Sequence, residues 1–560
     1  MIVWPGTMTV VTVLVWILSH LILSTITFIL VTGTTGALAY RCTIGSHVQA
    51  KRQKWRIRFY LHPGEGFASR TELFTSWGRT RAAWEGGRVR PGLSFPQRLL
   101  LVPATSLAIR LGRGPYGHVL WVSAESAMII IAPPRTFKTI FLAGRILDWH
   151  GPGVAVTTKA DLLNLTGRQR AALGNLYILN PLGVGGIPGN LHYDAIAGSR
   201  NPQTAARKAQ CLVRAGEQQH ASGENDLFLR QATGLIAAYL HAADLAGQRY
   251  TIEDVAAWVS RTDQDIPDTI LRNPKVSRAI HALAEYSRKE GRTENSIRIV
   301  AGAWLAWTAI PELAAAVTPA PGEPVFVPED FVSAGAGTVY MIARSSVDAG
   351  LTSAVYTMIL EEIHYAALIA ASMQDRGKLS PQLGYFLDEA DRTIAVSVPD
   401  MTADSSGHGI QVSSVFQSYA AVQAAWGEHG AAKLLQNSGT LMLLGGGKEA
   451  GVAEAISTLA GSGEGQNARP VITPAFLRKL PRRWAFVLHG NLDPVVVRLR
   501  PVWKRRDYRK PPAIRPAAAR VARPEGQVTG IGTPLEPYMP PQAALSPANG
   551  NGHGSGARHG

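Results

Sequence analysis

The feature that most constrains the fold is an apolar run that ends in a tight turn and is followed at once by Lys138-Thr139. Residues 128–131 read Met-Ile-Ile-Ile, residues 132–137 include two prolines, and residues 139–149 carry apolar side chains at helical spacing. Strand, turn and helix in this order are the layout of a nucleotide phosphate loop, because backbone N–H groups at the positive end of a helix bind phosphates. The sequence therefore predicts an α/β protein with a nucleotide site.

The loop departs from the pattern G-x-x-x-x-G-K-[ST], whose lysine bridges the outer phosphates and whose hydroxyl binds Mg²⁺. Ala132 replaces the first glycine, which is a mild change. Phe137 replaces the second, where a side chain crowds the phosphates and is strained if the turn requires a positive φ. The candidate nucleotide-binding residues are Ala132, Pro133, Pro134, Arg135, Thr136, Phe137, Lys138 and Thr139.

Two further strands end in polar residues. The apolar run 383–387 is followed by Asp388 and Glu389, and the run 410–416 by Gln417. Ligands of open α/β sheets bind at the carboxyl ends of strands. We therefore expect Asp388 and Thr139 to hold Mg²⁺, and Glu389 to polarise the attacking water. Gln417 occupies a place where motor ATPases sense the γ-phosphate. The structural alternative for the Asp388-Glu389 pair is a solvated helix start. The structural alternative for Gln417 is an N-cap.

Apolar runs and helical stretches alternate along much of the chain, which predicts a mostly parallel sheet covered on both faces. Long Ala- and Leu-rich amphipathic segments, such as 228–245 and 277–310, interrupt this alternation and predict an all-helical insert. Strands are expected at residues 119–123, 128–131, 154–157, 176–179, 338–343, 383–387, 410–416, 440–444, 484–488 and 495–499.

At 560 residues the chain is too long for a single core. We divide it into a transmembrane anchor (1–50), a membrane-proximal lead-in (51–115), the first part of the core (116–203), an all-α inserted domain (204–330), the second part of the core (331–502) and a tail (503–560). The tail is basic at first and then rich in Pro and Gly, which predicts disorder. Its basic half could contact DNA or lipid, or stay solvated.

The N-terminal segment has the composition of a membrane helix. Residues 9–39 contain no Asp, Glu, Lys or Arg, and a spanning helix needs about 20 apolar residues. The segment is long enough for one tilted helix, and a short re-entrant hairpin is the alternative. Basic residues follow it, namely Arg41, Lys51, Arg52, Lys54, Arg56 and Arg58. The positive-inside rule therefore predicts a single-pass protein of the cell's inner or plasma membrane, with the bulk of the chain in the cytoplasm.

The net charge of +16 favours an anionic partner, such as nucleic acid or a lipid surface, and also fits a positive-inside membrane protein. Only two cysteines are present, Cys42 and Cys211, which excludes a disulfide framework and a cysteine metal site.

In their order and surroundings, these motifs resemble the TraG/TraD-type type IV coupling proteins, the membrane ATPases of conjugation and type IV secretion. Further points of resemblance are Thr157-Thr158-Lys159-Ala160-Asp161-Leu162, Leu179-Asn180-Pro181, and the block from Gly409 to Gly446 with Gln417-Ser418 and Gln436-Asn437-Ser438-Gly439. The resemblance covers most of the chain, from the N-terminal helix to about residue 499.

The resemblance implies a RecA-like P-loop NTPase core that uses ATP and Mg²⁺, often as a hexamer. It implies three kinds of partner: DNA, bound without sequence preference, relaxase-type substrate proteins, and components of the secretion channel. It also implies attachment to the lipid bilayer and assembly of several copies. By position, Lys138 and Thr139 would bind the nucleotide, Asp388 the metal, Glu389 the water and Gln417 the γ-phosphate. His408 lies near the place where these proteins often carry an arginine, so no arginine finger is assigned.

Two other readings stay open at this point. Phe137 favours a membrane receptor with a degenerate loop that binds nucleotide or substrate without hydrolysis. A chromosome-segregation translocase of the FtsK kind would share the chemistry and the membrane anchor, although that family usually has more membrane helices.

Overall fold

The computed structural model describes residues 12–36, 66–217, 226–247, 250–260, 265–271, 291–343, 349–446, 454, 456 and 470–509. The predictions for residues 1–11, 37–65, 277–290 and 510–560 fall outside these ranges, as does Cys42.

The described strands form one sheet. Its order is β2-β1-β11-β10-β9-β3-β8-β7-β4-β6-β5. The strands are β1 (Ala108–Arg113), β2 (Val119–Ser123), β3 (Met128–Ile131), β4 (Gly153–Thr157), β5 (Leu176–Leu179), β6 (Thr338–Ile342), β7 (Leu383–Asp388), β8 (Ile410–Phe416), β9 (Thr440–Leu444), β10 (Trp484–His489) and β11 (Leu492–Arg498).

The seven strands from β9 to β5 pair in parallel, and the remaining four strands extend one edge in antiparallel fashion. Every residue of β3, β4, β6, β7, β8 and β9 is buried. Such strands need mostly apolar side chains on both faces, and β3 is a continuous apolar run for this reason, whereas β8 also buries Gln411, Ser413 and Ser414. The predicted mostly parallel α/β fold is confirmed.

The helices lie between the strands and at the termini of the described chain. They are α1 (Thr12–Gly36), α2 (Arg70–Thr75), α3 (Arg79–Val89), α4 (Phe95–Leu100), α5 (Lys138–Asp148), α6 (Asp161–Ala171), α7 (Pro202–Glu217), α8 (Asp226–Leu245), α9 (Ile252–Val259), α10 (Asp265–Leu271), α11 (Gly291–Leu305), α12 (Pro311–Val317), α13 (Pro328–Ser333), α14 (Ala349–Ser372), α15 (Ala390–Thr393), α16 (Val398–Ser405), α17 (Tyr419–Asn437), α18 (Pro474–Arg478) and α19 (Arg506–Arg509).

The two faces of the sheet bury different helices. Alternate residues of β3 and β4, such as Ile130 and Ala155, pack with α5 and α6 in one apolar core. Their neighbours, such as Ile129 and Val154, pack on the other face with α14, with α16 and α17, and with the helices α7 to α12 that lie between β5 and β6. A helical bundle therefore enlarges the core on one face only.

Two parts of the structure differ from the sequence expectations. Strand β1 was not predicted, because its Arg110, Gly112 and Arg113 interrupt the apolar pattern and Gly112 lies at a bulge opposite β2. Residues 503–509, which the sequence analysis assigns to the tail, are ordered. Arg505 donates a hydrogen bond of 2.7 Å to Asp148 at the end of α5, and its buried guanidinium ties this segment to the core.

The apolar N-terminal helix is present and long enough to span a bilayer. Helix α1 has a mean hydropathy of 2.3 over its most apolar window, and none of that window is buried in the protein. Residues Thr352–Ser372 of α14 also pass the length and hydropathy test, but 72% of that window is buried. The single-pass orientation remains a prediction.

A buried arginine holds together the starts of the neighbouring strands β4 and β6. Arg170 in α6 donates hydrogen bonds to the carbonyl oxygens of Gly151 (2.8 Å) and Gly337 (3.0 Å) and to the hydroxyl of Thr338 (2.6 Å). It also bonds to the carbonyl of Trp149. Burial lowers the pKa of Arg170 to about 10, which leaves the guanidinium charged at neutral pH.

We expect Arg170→Ala to destabilise the protein by at least about 3 kcal/mol, since it leaves several buried acceptors without donors. Thermal unfolding of the full chain in detergent measures the effect. Arg168→Ala is the matched control, because Arg168 is exposed on the same helix and its loss should change the melting temperature little. Equal melting temperatures for the two variants would contradict this role of Arg170.

Candidate nucleotide site

The loop between β3 and α5 turns through two left-handed residues. Arg135 has φ +65° and Phe137 has φ +86°, both in the left-handed region. Phe137 is the residue before α5, so its conformation sets the turn into the helix. A hydrogen bond of 2.5 Å from the Thr136 hydroxyl to the Pro133 carbonyl closes the bend. The strain predicted for a phenylalanine with positive φ at position 137 therefore applies.

The Phe137 ring contacts the C-terminal end of the core. It meets the Trp503 ring edge to face at 5.9 Å between centroids, and the Arg483 guanidinium carbon lies 5.7 Å from its centre. Arg482 donates a hydrogen bond of 3.3 Å to the carbonyl of Arg135 in the same bend. Contacts from two later segments therefore compensate part of the cost of a left-handed phenylalanine.

Four adjacent strands bring the polar residues together. β3, β8, β7 and β4 are neighbours in this order, and Ile131 pairs with Phe416 while Asp388 pairs with Val415. The carboxyl ends of parallel strands lie at one edge of the sheet. The loop, Gln417, the carboxylates and Thr158 therefore meet there.

Lys138 is held by both carboxylates. Its Nζ lies 3.3 Å from Asp388 Oδ1 and forms an ion pair with Glu389 Oε1. Thr139 donates a hydrogen bond of 3.2 Å from its hydroxyl to Asp388 Oδ2. Asp388 ends β7, and Glu389 follows in the left-handed conformation with φ +61°. The two carboxyl groups thus face the loop from one short turn.

Glu389 receives two further hydrogen bonds. The Gln417 amide donates to Oε1 at 2.6 Å, and the Thr158 hydroxyl donates to Oε2 at 2.9 Å. These partners fix the carboxylate from β8 and β4. Gln417 is therefore not an N-cap; Ser418 has that role, since its hydroxyl accepts from the backbone N–H of Ala421 in α17.

The environments separate the pKa values of the two acids. Burial raises the pKa of Asp388, and the nearby Lys138 offsets this only in part. Burial acts in the same direction on Glu389, but hydrogen bonds from Lys138, Gln417 and Thr158 outweigh it and lower the pKa of Glu389. Glu389 is thus the carboxylate that stays ionised more readily.

The donor set fits a magnesium ion that is shared with a nucleotide. Asp388 Oδ1 is buried and accepts no hydrogen bond from any described residue, although Lys138 Nζ is nearby. The Thr139 hydroxyl lies beside the same carboxylate. Among the described residues no cluster of three or more His, Cys, Asp or Glu side chains could hold a metal. Mg²⁺ usually takes one or two protein ligands plus waters and phosphate oxygens, so this pair is sufficient.

These side chains line a cleft of about 590 Å³ at the carboxyl edge of the sheet. Its wall also includes Thr158, Lys159, Arg482 and Trp503, none of which was a predicted site residue. The polar Thr157-Thr158-Lys159 run directly after β4 could have indicated Thr158, by the same rule that indicated Asp388. Nothing in the local sequence indicates Trp503, because it lies in a basic, Pro-rich stretch that is typical of a tail.

One family model and several solved structures match the chain. Residues 382–482 match the family model described as the TraM recognition site of TraD and TraG. The chain is similar to the plasmid coupling protein TrwB with the non-hydrolysable ATP analogue ADPNP, with a TM-score of 0.54 and 18% identity over 67% of this chain and 86% of that one. The structure of TrwB with ADP and Mg²⁺ gives a TM-score of 0.53 and 18% identity, over 67% of this chain and 85% of that one.

The complex of TrwB with the GTP analogue GDPNP gives a TM-score of 0.53 and 17% identity, over 67% and 86% of the two chains. A comparison with curated proteins finds no match. The sheet order and the structural matches define a RecA-like α/β fold. The predicted resemblance to the TraG/TraD-type coupling proteins is confirmed by the family model and the shared fold.

The positive φ at Phe137 can be tested with two substitutions that both remove the ring. Gly adopts φ +86° freely, whereas Ala does not, at a cost on the order of 1 kcal/mol. This cost lowers the stability of the folded chain, so we expect Phe137→Gly to be more stable than Phe137→Ala by about 1 kcal/mol, as measured by thermal unfolding of the full chain in detergent. Equal melting temperatures would show that residue 137 does not keep a left-handed conformation in the two variants.

Proposed function

We propose that the chain binds and hydrolyses a nucleoside triphosphate with Mg²⁺ at the carboxyl edge of β3, β7 and β8. One observation carries this proposal: Lys138 and Thr139 at the start of α5 lie within hydrogen-bond or ion-pair distance of Asp388 and Glu389. A solvated helix start would leave such carboxylates exposed, whereas both are buried. Buried paired charges of this kind cluster at functional sites.

Each residue has a role that follows from its position. Lys138 and the backbone N–H groups of the bend would bind the β- and γ-phosphates. Thr139 and Asp388 would hold Mg²⁺, which neutralises charge that develops on the phosphate oxygens during transfer. Glu389, ionised and oriented by Thr158, would accept the proton of the attacking water.

Gln417 would report the γ-phosphate. Its amide already donates to Glu389, so a phosphate oxygen that replaces this partner would shift the Gln417 side chain at the end of β8. Because α17 begins two residues later, at Tyr419, the movement would reach a long helix.

Phe137 is compatible with this chemistry. Its described ring contacts are with Trp503 and Arg483, while Lys138 and Glu389 pair beside it. The ring also lines the cleft, and in the alternative reading it limits the space for a triphosphate and leaves a receptor that binds without turnover. Hydrolysis is favoured because the complete set of Lys, Thr, Asp, Glu and Gln is retained.

The process served would be transfer of DNA or nucleoprotein to a secretion channel. The TrwB fold and the matched TraM recognition segment support this assignment, as does the net charge of +16. In this proposal α1 anchors the chain in the membrane, copies assemble into a ring, and basic side chains bind DNA phosphates without sequence preference. An FtsK-like translocase is the second candidate from the sequence, and no described feature favours it.

Two substitutions separate turnover from binding. Glu389→Gln should retain ATP binding and lower phosphate release at least about 100-fold, since the general base is lost. Lys138→Ala should weaken binding itself. Lys433→Ala is the control, because Lys433 is an exposed lysine paired with Asp400 away from the cleft. Phosphate release and calorimetry on the full chain with DNA measure both effects.

The proposal is contradicted if the unsubstituted chain releases phosphate no faster than Lys138→Ala. The hypothesis of a receptor that binds without hydrolysis would then be favoured. Loss of ATP binding in Glu389→Gln would assign Glu389 a structural role instead.

DNA affinity should fall steeply as salt increases, because each phosphate contact releases a counterion. Fluorescence anisotropy with single strands of unrelated sequence at several salt concentrations measures the slope. A flat response, or affinity for one sequence only, would contradict nonspecific phosphate binding.

A further inference from the structure

Helices α3 and α4 are joined by side-chain hydrogen bonds and expose large apolar side chains. Arg79 in α3 donates to the carbonyl oxygens of Leu99 and Val102, each at 2.7 Å, and Arg98 in α4 donates to that of Ala83 at 2.8 Å. The exposed side chains, which we call the α3–α4 apolar surface, are Trp84 (58% exposed), Phe95 (40%), Leu100 (76%) and Leu101 (76%). Exposed clusters of such residues mark interaction sites.

Basic side chains accompany this surface. The Arg81 guanidinium lies 4.8 Å from the centre of the Trp84 ring, and Arg88 follows Trp84 by one helical turn. Trp84 thus stands between two arginines on the solvent side of α3. Tryptophan flanked by arginine is typical of helices that lie at the boundary between water and lipid.

A basic cleft of about 900 Å³ adjoins the α3–α4 turn. Its cations are Arg88, Arg90, Arg376 and Lys378, and its acids are Glu125 and Asp375. Glu125 is bound to Lys378 at 2.6 Å, and outside the cleft Glu85 is bound to Arg81 at 2.9 Å. The cations still outnumber the acids. Met373, which is 83% exposed, directly precedes the cleft residue Gln374.

This face lies opposite the nucleotide site. The cleft is lined by Glu125, Gly151, Gln382 and Gly409, which precede β3, β4, β7 and β8. Those are the strands whose carboxyl ends carry the nucleotide loop, the carboxylates, Thr158 and Gln417. Amino and carboxyl ends of parallel strands lie at opposite edges, so a partner at the cleft leaves the nucleotide cleft accessible.

We propose that the α3–α4 apolar surface and the basic cleft together dock on an anionic phospholipid bilayer. Apolar side chains would enter the headgroup boundary, and Arg88, Arg90 and Arg376 would bind lipid phosphates. The chain itself supplies continuity with a membrane, because residues 37–65 join α1 to this region and carry Arg41, Lys51, Arg52, Lys54, Arg56 and Arg58. The inference rests on α1 as the membrane anchor proposed above and is independent of nucleotide turnover.

The test uses the full chain in vesicles, with Cys42 changed to Ser and a nitroxide attached at Leu100→Cys. Cys211 is buried and should not react. The matched control is Ile299→Cys on α11, since Ile299 is an apolar residue that is 73% exposed on the helical insert. The vesicles are phosphatidylcholine alone, or phosphatidylcholine mixed with phosphatidylglycerol. The readout is the collision rate of the nitroxide with oxygen relative to that with a water-soluble nickel chelate.

We expect this ratio to rise several-fold at position 100 when phosphatidylglycerol is present, and to stay constant at position 299. The double substitution Arg88→Gln and Arg90→Gln should lower the ratio of docked to undocked protein roughly fivefold for each charge removed. Arg200 is an exposed arginine at the start of the helical insert, so Arg200→Gln should leave the ratio of docked to undocked protein unchanged.

Two outcomes overturn the inference. One is equal accessibility of positions 100 and 299 in anionic vesicles. The other is protection of position 100 that increases with the protein-to-lipid ratio and ignores lipid charge, since this would show that a second copy of the chain covers the surface. Both are read without nucleotide, so either can occur whether or not the chain hydrolyses ATP.

Discussion

The ion pairs of Lys138 with Asp388 and Glu389 are the interactions on which the site depends. They join residues 250 and 251 positions apart in sequence, so they form only after β3, β8 and β7 have assembled in register. One buried ammonium here compensates two adjacent buried carboxylates, which would otherwise repel each other. In the proposed function, an incoming triphosphate would compete with these carboxylates for Lys138, and Mg²⁺ held by Asp388 would restore the charge balance. The nucleotide and its metal are therefore expected to bind together.

Helix α5 is fixed at both ends, which explains why a left-handed phenylalanine can persist before it. Its first residue is held by the carboxylates, and Asp148 at its end pairs with Arg505 at 2.7 Å and with Arg110 at 3.2 Å. Trp503, two residues before Arg505, packs on Phe137. The segment after β11 thus supports the helix and the loop together. The phosphate-loop pattern has a glycine at position 137, which adopts a positive φ without strain. In this chain residues 503–509 compensate part of the strain of Phe137, because they stabilise the bend by contacts.

The sequence indicated the strands that are apolar on both faces and the residues at their carboxyl ends, because both patterns are local. It did not indicate β1, where Arg110, Gly112 and Arg113 interrupt the apolar pattern at the antiparallel edge of the sheet. Nor could it indicate that Thr158 and Gln417 both bind Glu389, or that Trp503 contacts Phe137, since these contacts depend on strand order and on where the chain returns after β11. Local signals specify which residues are polar at an edge, whereas the topology decides which of them meet.

The placement of the two clefts limits how nucleotide chemistry could act on a membrane. Strand β7 links them, with Gln382 lining the basic cleft just before its start and Asp388 at its end. Six buried residues between parallel neighbours span about 20 Å and do not bend independently, because each backbone group is paired and each side chain is packed. The strand therefore cannot shorten or tilt alone. A change at the nucleotide edge would have to reach the lipid-facing edge as a rigid displacement of the whole sheet with α3 and α4, or pass through α17, which starts beside Gln417.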